Sequence, residues 1–266
     1  MILSFDPKEE SQRIVTFLKK TFSEQKIENA VIGLSGGIDS ATSFYLIKKV
    51  LNPEHIFVAH LSYFPKAFPL FEQIVKDAKI PAENIYDLSI KDAIDSIRHS
   101  GKRVERAHPE SDSGQARMTD QIRLGNIMAR VRMIFLYDLA KKHNALVIGT
   151  ENRSEHLLGY FTRFGDEASD IEPIRHLYKT QIYELAKYLG VPKNIIEQKP
   201  TAGLWHNQTD EEEFGFTYKE ADQVLFYYFE QKLSVEEILK KGLINAEVII
   251  KRTKENDYKH KTPYVI

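Results

Sequence analysis

Ala30-Val31-Ile32-Gly33-Leu34-Ser35-Gly36-Gly37-Ile38-Asp39-Ser40 is the stretch on which the reading of the fold turns. The run from Ala30 to Leu34 is apolar and too short for a typical helix, while Ala41, Phe44, Tyr45 and Leu46 beyond it are spaced for one helical face. That change of period predicts a buried strand, a tight turn and a helix. Adjacent glycines let the backbone bend sharply and approach a ligand, and the helix start offers unpaired N–H groups at the positive end of a dipole. Such a turn suits a phosphate-like anion. Ser35 and Ser40 can add hydroxyl donors, and Asp39 would repel a bare phosphate, which implies a divalent metal between them. The turn has no Gly-Lys-Ser/Thr ending, so it is not the loop whose own lysine reaches the outer phosphates. Taken by itself, the hexapeptide from Ser35 is equally an ordinary loop with Asp39 as a helix cap.

The chain has 266 residues, enough for a sizeable core in one large domain or two small ones. Lys and Arg (37) balance Asp and Glu (38), so no global charge points to nucleic acid or to an anionic membrane. A small-molecule partner is expected. With no cysteine, a disulfide, a thiolate metal site and a cysteine nucleophile or persulfide carrier are all excluded. Met1 to Phe5 lacks the pattern of a signal peptide and no apolar run reaches spanning length, so a cytoplasmic enzyme is expected.

Asp6-Pro7 followed by Glu9 predicts a helix start, with Ile14, Phe17, Leu18 and Thr21 or Phe22 as its apolar face. His55 to Leu61 predicts a second strand; Phe71, Ile74, Val75 and Ala78 a helix; Ile85 to Leu88 a third strand; and Ile90, Ala93, Ile94 and Ile97 another helix. The polar stretch 99–114 reads as an exposed loop. A long helical pattern (Ile122, Ile127, Val131, Ile134, Phe135, Leu139) runs from Met118 to His143, ahead of the strand Leu146 to Gly149. Arg130 and Arg132, two residues apart, cannot share a face of it: one is expected in a site, the other at a surface or interface. Alternating strands and helices imply a doubly wound α/β fold, a parallel sheet with helices on both faces and ligands at the carboxyl ends of the strands. Glu151 to Pro173 is a long polar stretch following a strand end, where such folds keep their chemistry. Gly190 and Pro192 close a helix, and Thr217 with Glu220 and Ser234 with Glu237 are capping-box patterns. No composition break divides the chain, so residues 1–266 are expected to form one domain with the C-terminal helices packed on the same body.

The Ser35 to Ser40 turn resembles the pyrophosphate-binding loop of N-type ATP pyrophosphatases, which cleave ATP between the α and β phosphates. Further motifs narrow the likeness: Gly125 to Met133, Gly149-Thr150-Glu151-Asn152-Arg153-Ser154-Glu155, Gly159 to Asp166, Asp170 to Ile174, Leu177-Tyr178-Lys179-Thr180, Pro200 to Trp205 and Gln208-Thr209-Asp210-Glu211. In this order they closely resemble the NAD synthetases in their short, ammonia-dependent form, over roughly residues 30 to 222 with a trace at His260-Lys261.

The resemblance implies an adenine nucleotide alpha hydrolase-like fold and a carbon–nitrogen ligase. Deamido-NAD would attack ATP with its nicotinate carboxylate, giving an acyl adenylate and pyrophosphate, and ammonia would displace AMP to give NAD. It further implies that Asp39 and Glu155 hold Mg²⁺, and that Gly33, Leu34, Ser35, Gly36, Gly37, Ile38, Asp39, Ser40, Thr150, Lys179 and Thr201 bind ATP, with Lys179 as the cation the loop lacks. Arg130, Arg163, Asp170, His260 and Lys261 would contact deamido-NAD. Asp166 or Asp170 would hold ammonium and accept its proton, since only neutral ammonia can attack. A homodimer with deamido-NAD across its interface is implied, as is free ammonia as the nitrogen source, the chain having no room for an N-terminal glutaminase domain. His156 and His176 read as structural, Trp205 and the tyrosines as core or interface.

Some positions depart from the family pattern. Arg163 stands for a usual lysine, Glu167-Ala168-Ser169 for a glycine-rich run, Thr262 for a third basic residue, and Leu61 to Phe68 matches nothing usual after the second strand. Two alternatives remain open in the sequence: another pyrophosphatase of this loop class, such as a GMP synthetase-like or tRNA-thiolating enzyme, and a nucleotide-binding regulatory protein that has lost turnover. The missing cysteine and the neutral charge weigh against thiolation and tRNA.

Overall fold

The computed structural model describes residues 5–64, 69–101, 114–201, 209–261 and 263–265. The first half alternates helix and strand: α1 (Pro7–Gln25), β1 (Asn29–Gly33), α2 (Ile38–Ile47), β2 (Ile56–Ser62), α3 (Pro69–Asp77), β3 (Ile85–Ser89), α4 (Lys91–Gly101), α5 (Gly114–His143) and β4 (Ala145–Ile148). The rest is helical: α6 (Arg153–Leu158), α7 (Lys179–Leu189), α8 (Lys193–Ile196), α9 (Asp210–Phe214), α10 (Tyr218–Leu225), α11 (Val235–Leu239) and α12 (Ala246–Asn256).

The four strands form one parallel sheet in the order β3-β2-β1-β4, with Val31 of β1 opposite Phe57 on one side and Val147 on the other. Because side chains alternate along a strand, each strand feeds two cores. Ala30 and Ile32 of β1 face α1, α2, α3 and α7, packing on Leu18, Phe44, Ile74 and Leu185. Val31 faces the opposite way, onto α5 through Met128, Val131 and Leu139. Both faces are thus covered, the doubly wound arrangement expected from the sequence. The chain passes from β1 to β2 and β3 on one side and reaches β4 on the other, so a crevice opens at the carboxyl end of β1.

The elements differ in places from the sequence pattern. Asp6 caps α1 by accepting from the amides of Lys8 and Glu9, but the buried stripe is Ser11, Ile14, Leu18 and Phe22, and Phe17 turns outward. On α4 the buried stripe ends at Ile94, leaving Ala93 and Ile97 exposed. α5 begins four residues before Met118 and turns Ile122 and Ile134 to solvent, 50% and 59% exposed, because only its Met128–Val131–Leu139 side meets the sheet. Of the stretch 99–114 read as a loop, 99–101 end α4 and 114 begins α5, while 102–113 lie outside the described residues. Glu237 completes the Ser234 capping box, whereas Glu220 leaves the Thr217 cap half-made and spends its carboxylate on Asn245.

Beyond β4 the chain leaves through α6, then returns to the strand, where the amides of Asp170 and Ile171 both donate to the Val147 carbonyl. The polar stretch after β4 therefore starts and finishes at one strand end. A third apolar cluster joins Leu158 and Tyr178 to Phe214, Tyr218, Leu225, Ile238 and Ile249, seating α9 to α12 against α6 and α7. Among the described residues, no helix is long and apolar enough to cross a membrane.

Candidate active site

The turn after β1 is built as its sequence requires. Leu34 continues the ladder by donating to Ala59, Gly36 takes φ +91°, which side chains disfavour, and α2 begins at Ile38 with no side chain capping its N-terminus. The serines divide their work. The Ser40 hydroxyl is buried, donates to the Gly37 carbonyl at 3.1 Å and lies 3.1 Å from the Ser35 hydroxyl, so it braces the turn from beneath. Ser35 is the exposed member.

Beside this turn three elements bring one ion cluster together. Lys179, the first residue of α7 and 2% exposed, points its ammonium at Asp39 Oδ2 of α2 (2.6 Å) and at Glu155 Oε1 of α6 (3.1 Å). Asn152 links the same elements: its Nδ2 donates to Asp39 Oδ1 at 2.9 Å while its Oδ1 accepts the Glu155 amide, and Glu155 accepts from the Asn152 amide in return. Glu155 is thus both a capping residue and an ion partner. Burial opposes the Lys179 charge, but Asp39 and Glu155 outweigh it and hold that pKa above the ordinary lysine value. Burial, resisted by Lys179 and reinforced by Asp39, pushes Glu155 up to about 8. Behind the lysine, its backbone amide donates to Ser154 Oγ, and Ser154 and the Thr180 amide both bind the fully buried Asp222.

Asp210 approaches from the other side. Only 2% exposed, it accepts from the hydroxyls of Tyr160 (3.1 Å) and Tyr218 (3.0 Å), and its amide donates to the Pro200 carbonyl. Burial raises its pKa, against the pull of Lys179. The Tyr218 ring lies under Lys179, with the ammonium 5.1 Å from its centroid.

These groups line a cleft of about 490 Å³ at the carboxyl end of the sheet. Gly33 to Ser40, Thr150, Glu155, Asp166, Lys179 and Thr201 all contribute to its wall, so the ATP and metal positions read from sequence converge. Asp166 faces the cleft, its Oδ1 accepting from the Thr162 amide at 2.8 Å, and the surrounding protein raises its pKa by desolvation. Arg132 enters the same wall, donates to the Leu61 carbonyl at 3.1 Å and is electrostatically coupled to Asp166.

The expected deamido-NAD contacts lie elsewhere. Arg130 is exposed on the far side of α5 from Arg132 and donates to the Arg163 carbonyl at 3.2 Å. Asp170 spends one oxygen on the Val147 amide at 2.8 Å. His260 packs against His156 and Phe161, and Lys261 pairs with Asp257. Sequence reasoning missed Arg132, Asn152, Tyr160 and Asp210 as site residues. Asn152 ahead of Glu155 was a visible capping signal, and Arg132 was one of two phases on its helix, but nothing local marks Tyr160 or Asp210. His176 is structural, holding Glu10 of α1 at 2.6 Å. Trp205 lies outside the described residues.

A family model described as NAD synthase matches residues 10–263. The chain belongs to the NAD synthase family. A relative from Fusobacterium nucleatum named NH(3)-dependent NAD(+) synthetase is 39% identical over 99% of this chain and 97% of its own. Among solved structures, an NMN synthetase from Francisella tularensis superposes with a TM-score of 0.80 at 34% identity over 99% of both chains. An NH3-dependent NAD synthetase from Campylobacter jejuni superposes at 0.75 with 28% identity, over 99% of this chain and 100% of its own. The family's fold is therefore the fold found here.

Proposed function

We propose that this chain is an ammonia-dependent NAD synthetase: ATP adenylylates the nicotinate carboxylate of deamido-NAD, releasing pyrophosphate, and ammonia displaces AMP to give the amide. The observation that carries the reading is the meeting of Lys179, Asp39 and Glu155 beside an uncapped helix start and a two-glycine turn. A carboxylate is a poor electrophile, and joining it to ATP brings anions together, so the site must supply cations and oriented donors. The turn amides take the pyrophosphate half of ATP, and Lys179 supplies a fixed positive charge where the bond between α and β phosphates breaks. Thr150 and Thr201 bind the remaining ATP groups from the facing walls.

Mg²⁺ fits this donor set. Among the described residues no three acidic or histidine side chains form an all-protein cage, but Lys179 draws the carboxylates of Asp39 and Glu155 to the same part of the cleft wall, and Mg²⁺ takes one or two carboxylates together with phosphates and waters. Burial is the main cause that raises Glu155, and Asp39 and Asp210 add to it; a bound cation would offset both, since it favours the charged carboxylate. When bound, it would draw charge from the phosphates as they separate.

For ammonia, Asp166 is preferred to Asp170 as the proton acceptor, since it faces the cleft while Asp170 is tied to β4. Arg130, Arg163, Asp170, His260 and Lys261 are assigned to deamido-NAD in a homodimer. That assignment is supported by their position outside the ATP cleft and by the exposed Ile122 and Ile134 on the α5 face that a second copy would cover. Residues 1–266 are read as one domain that acts in the cytoplasm.

The likeness to an NMN synthetase favours a second acceptor, nicotinic acid mononucleotide, at the same chemistry. One experiment covers both: purified protein with ATP, Mg²⁺ and ammonium is given each acid in turn, scoring amide, AMP and pyrophosphate together. Equal formation of all three from deamido-NAD is expected; preference for the mononucleotide would move the acceptor, and no AMP from either would remove the ligase reading.

A further inference from the structure

The last residue of α12, Asn256, and the turn Asp257–His260 that follows it are fastened to the end of α6 and the chain just beyond it. Lys259 Nζ donates to the Gly159 carbonyl at 2.6 Å and to the Phe161 carbonyl at 3.0 Å. Asn256 packs so tightly on Gly159 that a Cβ there would lie 2.2 Å from the asparagine Cβ. His260 lies against Phe161 and His156, with ring centroids 5.3 and 4.3 Å apart, and the Arg163 guanidinium sits 5.3 Å from the Tyr258 ring centre.

The gripped segment leads straight to Asp166. Phe161 is followed by Thr162, whose amide holds Asp166 Oδ1, whose carbonyl accepts from Gly165 and whose hydroxyl meets Asn126 of α5 at 2.9 Å. Carbonyls past a helix end lack intrahelical donors, and an ammonium is the side chain that satisfies two of them with charge-assisted bonds. Burial lowers the Lys259 pKa, Arg252 adds to that, and Asp166 and Glu167 oppose it, which places the lysine within electrostatic reach of the loop it braces.

We propose that Lys259 is a positioning residue for the amide-forming step: by tying Gly159 and Phe161 to the C-terminal turn it fixes Thr162, and through Thr162 the carboxylate of Asp166, at the cleft wall. Adenylation is served by the first turns of α2, α6 and α7, where Asp39, Glu155 and Lys179 stand, whereas the strut grips the other, C-terminal end of α6 at Gly159. The inference rests on the synthetase reading and on the assignment of Asp166 to ammonia.

The test compares two half-reactions in Lys259→Met and Lys259→Arg at saturating deamido-NAD: exchange of labelled pyrophosphate into ATP without ammonium, and amide formation over an ammonium series. For Lys259→Met, exchange within twofold of the unmodified protein is expected, together with a rise of tenfold or more in KM for ammonium. Lys259→Arg, which keeps charged donors, should recover most of that loss. Unchanged ammonium dependence in Lys259→Met would overturn the proposal, as would a parallel fall of both half-reactions in the two variants. Absence of exchange in the unmodified protein would instead overturn the synthetase reading, and this inference with it.

Discussion

Lys179 Nζ lies 2.6 Å from Asp39 Oδ2, joining the first turn of α7 to the first turn of α2 across 140 residues of chain. With Glu155 3.1 Å away, the contact holds the wall of the cleft together and sets one positive charge beside the anion-binding turn. Structure and chemistry are therefore coupled at this point, and the variants that probe it separate the two.

Lys179→Met should do both kinds of damage. Removing one member of a buried ion cluster leaves Asp39 and Glu155 uncompensated, a loss of about 3–5 kcal/mol, and, on the proposed role of this lysine toward departing pyrophosphate, brings a further rate loss of roughly 100-fold or more. Thermal melting together with pyrophosphate exchange checks it. A variant that melts lower yet exchanges at the normal rate would assign the lysine to structure alone.

Asp39→Asn keeps one oxygen to accept from Lys179 but turns its NH₂ against Asn152 Nδ2, a cost of about 1–3 kcal/mol, and it loses a charged oxygen for the proposed Mg²⁺. Exchange should fall roughly 100-fold, and the Mg²⁺ concentration for half-maximal rate should rise. Unchanged turnover and Mg²⁺ dependence would dismiss the metal assignment.

Much of this was legible in the sequence because it is local. The β1–turn–α2 unit announces itself through a change of period and two glycines, and the short stretch Gly149 to Glu155 holds a strand end and a capping box in consecutive residues. What was not legible depends on tertiary distance. Asp210 becomes a wall of the cleft only because Tyr160 and Tyr218 reach it from separate elements. Arg132 and Arg130 could be known to diverge, but which one entered the cleft was decided by the Leu61 carbonyl, 71 residues away. His260-Lys261 drew attention as a motif, while the contact that structures that end is made by Lys259 with backbone atoms, which leave no mark in a sequence.

Asp222 provides a pH test. Burial, opposed by bonds from Ser154 and Thr180, lifts its pKa to about 6 from the 3.8 of an exposed aspartate. Between those values the folded chain binds the proton more tightly than the unfolded one, so this group's contribution to stability is lost as pH rises through that window. Asp222→Asn can keep its oxygen on the Thr180 amide and turn its NH₂ to Ser154. The variant's melting temperature relative to the unmodified protein should therefore climb between pH 4 and pH 6, the full difference being about 3 kcal/mol. A difference independent of pH would mean that Asp222 stays ionised throughout.

Gly149 is small because of its neighbour. A Cβ there would fall 1.9 Å from Glu172 Oε1, and that carboxylate is held by Ser169 Oγ at 2.8 Å and by the Glu151 amide at 3.2 Å. Gly149→Ala must therefore push Glu172 off both partners, at a cost of about 1–3 kcal/mol, and should disturb Thr150 at the cleft wall. Glu172 is itself strained electrostatically: burial pushes its pKa up to about 8, with Ser169 opposing and Glu151 adding. Shortening it by Glu172→Ala opens the space the new methyl group needs and removes that burden. The double variant should accordingly be more stable than the sum of the two single effects, by roughly 1 kcal/mol or more. Additive single effects in denaturant melts would show that the methyl group meets backbone rather than the glutamate, and would break the link between the carboxyl end of β4 and the segment that returns to it.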